Sequence, residues 1–118
     1  MNQEEFINGI KIAVGESAYK SMLSILLDPP GRSPSVDSLQ LSEWYNSLQN
    51  NDREMIGKVI QGTIDMTVFG CLCVLDGVKT IEPQGDKGKF ELYFIKGATK
   101  VLLNDINDDF LHDLWNAE

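Results

Sequence analysis

From Met66 to Leu75 the chain is apolar at every position except Thr67, the longest such run in the sequence. The stretch that carries it, Asn51–Val78, opens polar and stops at Asp76-Gly77. Met55, Ile56, Val59, Ile60 and Ile64 give its first half a wide apolar stripe, with Lys58, Gln61 and Asp65 on the other face. That period predicts a long helix over about 52–76, about 36 Å of rod at 1.5 Å per residue. Beyond Asp65 the polar face disappears. A helix apolar all round is buried all round or crosses a membrane. The uninterrupted run is shorter than the ~18 residues a span needs, so the expectation is a buried spine. Asn51 with Glu54 reads as its capping box, and Gly77 suits the left-handed position that closes helices.

Upstream, Phe6, Ile7, Ile10, Val14, Ala18, Met22 and Ile25 recur at three- and four-residue steps, predicting an amphipathic helix capped by Asn2 and Glu5. Gly9 and Gly15 weaken it, and a break near Gly15 would give two shorter helices. Asp28-Pro29-Pro30-Gly31 ends it. Asp37 and Gln40 mark another start, after which Leu41, Trp44, Tyr45 and Leu48 share one face. That spacing reads as the buried side of a short helix, although an exposed Trp-Tyr pair would be a strong binding anchor.

After Gly77 the period shortens to two. Val78–Glu82 reads as a short strand ended by Pro83. Phe90, Leu92 and Phe94 alternate with Glu91, Tyr93 and Ile95, giving the clearest strand, expected to be covered on both sides. Gly97-Ala98 reads as a two-residue type II′ turn into a return strand, Thr99–Leu103. Phe110, Leu111, Leu114 and Trp115 then place a docking edge on a C-terminal helix over about 107–116, with Asp108 and Asp109 in its first turn.

The expected architecture is therefore α+β: N-terminal helices around a long central buried helix, a small antiparallel hairpin over about 78–103, and the C-terminal helix. A chain of 118 residues is read as a single domain. MNQEEF carries acids where an export signal carries bases, so a cytoplasmic setting is expected, with no membrane partner. The net charge of −8 argues against nucleic acid. The charge is uneven. Residues 78–103 are net basic, whereas 104–118 hold five acids and no Lys or Arg.

Catalytic constellations are sparse. Cys71 and Cys73 project about 200° apart on a helix and so share neither a disulfide nor a metal. His112 is the single histidine, with Asp108 and Asp109 a helical turn before it, but no activated nucleophile accompanies it. Asp105-x-Asn107-x-Asp109 copies the start of a calcium loop, then fails at Phe110 and Asn116 where Gly and Glu are required. No cofactor or metal is expected.

Two functions remain open. The first is a small acidic protein that acts by contacting another protein, such as a bacterial immunity or antitoxin-type inhibitor of a basic partner. Asp105, Asp108, Asp109 and Asp113 would supply steering, and Trp44 and Tyr45 the anchors. The second is a small enzyme or ligand-binding domain, with a pocket between the long helix and the hairpin built from Asp65, Asp76, Asn104 and His112. Self-association through the long helix or a hairpin edge is compatible with either.

Overall fold

The computed structural model describes residues 1–117. It contains helix α1 (Gln3–Ile10), a π-helical stretch (Lys11–Glu16), α2 (Ser17–Leu27), α3 (Val36–Asn46) and α4 (Asn50–Leu75). These are followed by strands β1 (Tyr93–Lys96) and β2 (Thr99–Leu102) and by helix α5 (Leu111–Asn116). The fold is α+β, with the long helix, the hairpin and the last helix in the expected order.

The break expected near Gly15 takes the form of the π-helical stretch. Each π turn holds more residues than an α turn, so the face that points inward advances around the axis. The series through Val14 and Ala18 therefore ends up in solvent, while Gly15, Tyr19 and Leu26 turn inward.

The chain divides into two compact units, residues 1–14 with 66–118, and residues 15–65. In the first, Ile7, Leu72, Leu111 and Trp115 form the buried centre, with Phe6, Ile10, Val68, Phe69, Leu75, Leu92 and Leu114 packed on it. Gln3 Nε2 donates to the Leu103 carbonyl at 2.9 Å, which ties α1 to the end of β2. In the second unit, α2 and α3 form a helical hairpin around Leu26 and Tyr45. The last carbonyls of α2, Leu26 and Leu27, would lack helical partners. The Asn46 amide donates to both, and the Ser42 hydroxyl to Leu27.

Helix α4 departs from the expectation of all-round burial. Over the 18-residue window that meets the hydropathy of a membrane span (mean hydropathy 1.4), only 11% is buried. Its length and composition thus suffice for a span. The continuous apolar run gave too short a measure, because such a window tolerates an isolated charge. Leu72, Cys73 and Asp76 are buried, while Met66 is 76% exposed. The helix closes as expected: Gly77 has φ 78°, its N–H donates to the Val74 carbonyl, and the Val78 N–H to that of Cys73. This pair of bonds is the Schellman motif.

The strand expected at Val78–Glu82 does not form; every residue from Gly77 to Glu91 is exposed there, with no neighbouring strand to pair with. The hairpin turn is as expected. Lys96 pairs with Thr99 across Gly97-Ala98, and Gly97 has φ 58° whereas Ala98 is not left-handed, as type II′ requires. The sheet has only two strands, so Tyr93 and Ile95 stay exposed rather than covered.

Candidate functional site

Three of the four residues assigned to a pocket come together at the C-terminal end of α4. Asp76, one residue past the helix, is buried. Its Oδ1 accepts the Leu111 N–H at 3.1 Å and its Oδ2 the His112 N–H at 2.9 Å. His112 Nδ1 also donates to Oδ2, at 2.6 Å. The carboxylate therefore caps the first turn of α5 from 35 residues upstream. That turn was expected to use Asp108 and Asp109, but α5 starts at Leu111 and leaves both outside it, exposed.

The His112 ring stacks on Phe110 at 5.3 Å and meets the edge of Phe69 at 5.6 Å. Its Nε2 faces Asp113 Oδ1 at 3.4 Å. Nδ1 is thus committed to Asp76, which fixes the orientation of the ring. The neighbouring thiol is not activated. Burial first, and then the Asp76 carboxylate, push the Cys73 thiol above its usual value of 9.0, so it is protonated at neutral pH.

Asn104 is similarly occupied. Its Oδ1 accepts from Leu92 N at 2.8 Å, and its amide donates to the carbonyls of Leu75 (2.6 Å) and Phe90 (2.8 Å). The side chain bridges the end of α4 to the segment entering β1. Asp76, His112 and Asn104 form a structural joint. Asp65, the fourth residue, is exposed, accepts from Gln61 Nε2 at 3.1 Å, and belongs to the other unit.

The residues assigned to partner contact separate by exposure. Tyr45 is buried, with the Arg53 guanidinium 5.2 Å from its ring centre. Trp44, expected to share that buried face, is 50% exposed. The inward face of α3 is centred on Ser42 and Tyr45, which leaves Trp44, between them, facing solvent. Trp44 lines a shallow hollow of about 300 Å³ with Gln40, Glu43 and Ser47. Asp105 accepts the Asn107 N–H at 3.0 Å and so shapes a turn, while Asp108, Asp109 and Asp113 are exposed. Among the described residues, no group of three or more His, Cys, Asp or Glu side chains could hold a metal ion.

One feature carried no mark in the sequence. A groove of about 660 Å³ in the second unit is lined by Tyr19, Tyr45, Arg53, Glu54 and Lys58. Arg53 Nη2 donates to the Asn46 carbonyl at 2.9 Å, while its buried Nε has no partner. Its lining comes from α2, α3 and α4.

Searches against protein families, curated proteins and solved structures returned no match for this chain.

Proposed function

We propose that this protein acts by binding a second protein of basic surface, with Trp44 as the anchor. The observation that carries this reading is the half-exposed indole of Trp44 in a hollow it shares with Glu43. A tryptophan offers a large, stiff contact area, and an adjacent carboxylate gives a lysine or arginine of the partner somewhere to pair. The net charge of −8 favours encounter with a basic surface. An inhibitor of the immunity or antitoxin type, working in a reducing cytoplasm that keeps Cys71 and Cys73 as free thiols, is its concrete form. What supports this over catalysis is that Asp76 and Asn104 are committed to hydrogen bonds within the fold and that the Cys73 thiol is not activated.

The test begins with affinity capture from the source cells, followed by titration of the purified partner against wild type and Trp44→Ala. The substitution should weaken binding about thirtyfold, as removal of a hot-spot aromatic does, with the circular dichroism unchanged. Equal affinity for the variant, or capture of an acidic partner only, would sink the reading.

A further inference from the structure

We propose that α4 pairs antiparallel with the α4 of a second copy of this chain, through residues 55–66. Met55, Val59 and Met66 are 56%, 68% and 76% exposed, on a helix whose other large apolar residues are at least partly covered. Gly62, between them, is exposed, and a Cβ there would meet nothing within 4 Å beyond its own stretch of helix backbone. The four recur at steps of four, three and four residues, the spacing of a coiled-coil seam. In the C-terminal direction the same spacing reaches Phe69 and Cys73, which are already covered. In the other direction it reaches Asp52. The unpartnered seam is therefore limited to these four positions.

Charge identifies the occupant. Lys58 and Asp65, seven residues apart, flank the seam on one side; Ile56 and Thr63 flank it on the other. In an antiparallel pair, Met55 meets Met66 of the second copy, and Val59 fits against Gly62, where the missing side chain leaves room. That register sets Lys58 opposite Asp65 of the second copy, and the two-fold axis repeats the pair. Ile56 falls opposite Thr63, with no charge opposed. A parallel pair in register instead places Lys58 against Thr63 and Asp65 against Gly70, with no ion pair formed. The self-complementary pattern thus selects a second copy, and selects its direction. A bilayer, the other surface an apolar helix fits, gives Lys58 and Asp65 no partner.

The test is sedimentation velocity of the full chain over a concentration series. Wild type should associate reversibly to a dimer. Lys58→Asp and Asp65→Lys should each weaken association about tenfold by opposing like charges, and the two together should restore it. All these side chains are exposed, and circular dichroism separates a folding defect from lost pairing; recovery in the double swap does so independently. A wild type that is monomeric at every concentration overturns the proposal. So does a dimer indifferent to the single swaps. Flotation with phosphatidylcholine vesicles, abolished by Met66→Asp in a protein that is monomeric in water, would assign the stripe to a membrane instead.

Discussion

Asp76 shows how much one buried carboxylate can organise. It accepts two backbone N–H groups and an imidazole N–H, so its charge is met from three directions rather than left to an apolar interior. Asp76→Ala strips all three and leaves one buried and one part-buried amide unpaired, at a cost of about 2–4 kcal/mol. Asp76→Asn keeps the shape and one acceptor oxygen, so it should cost less. Urea unfolding of the two variants checks this, and an alanine variant within about 0.5 kcal/mol of wild type would show the joint to be slack. Cys73 adds an alkaline limit in the same place. Its raised thiol pKa means the buried neutral form contributes stability below the ordinary 9.0. That contribution is lost as pH climbs through the raised value, where the folded chain must also ionise it.

At the scale of an element, one glycine within α4 and one just past its end should respond in opposite directions. Gly77 sits at φ 78°, which a Cβ resists, so Gly77→Ala should destabilise by about 1 kcal/mol. Gly62 lies within the helix with open space where a Cβ would go, so Gly62→Ala should stabilise the isolated chain by up to about 1 kcal/mol. Thermal or urea unfolding reads both, and changes of the same sign would contradict this account of the helix. The features legible in the sequence were of this local kind: Gly77 as a stop, Gly97-Ala98 as a turn, and a break near Gly15. Each is decided by a few adjacent residues and the backbone angles they allow. The inward face of each helix was less legible. Trp44 and Tyr45 are neighbours in one apolar pattern, and only the packing of α2 on α3 decides which turns inward. Asp76, Asn104 and His112 are expected together in a pocket from the sequence, but the capping of α5 by Asp76 was not legible, because the partners lie 35 residues apart and nothing local distinguishes Asp76 from any acid beside a glycine.

Over the whole molecule the charge is arranged more simply than the contacts. Five acids and no Lys or Arg occupy residues 104–118, and Asp108, Asp109 and Asp113 are exposed. Such a cluster acts over a Debye length, about 8 Å at physiological salt, and so governs encounter more than residence. Association with the proposed basic partner should slow as salt rises. Asp108→Asn with Asp109→Asn should lower the association rate while leaving dissociation nearly unchanged. Stopped-flow mixing measures both, and rates indifferent to salt would remove any role for steering. The Asp76 joint also bears on the order of assembly. Six residues are too few to hold a helix alone in water, and α5 meets its cap only after the chain has closed a loop back to the end of α4. Docking of α5 is therefore expected to come late, after the folding barrier has been crossed. In a chevron plot the loss from Asp76→Ala falls on the unfolding limb, with the refolding limb nearly unmoved. On that prediction, α5 is the last helix to arrive and the first to leave.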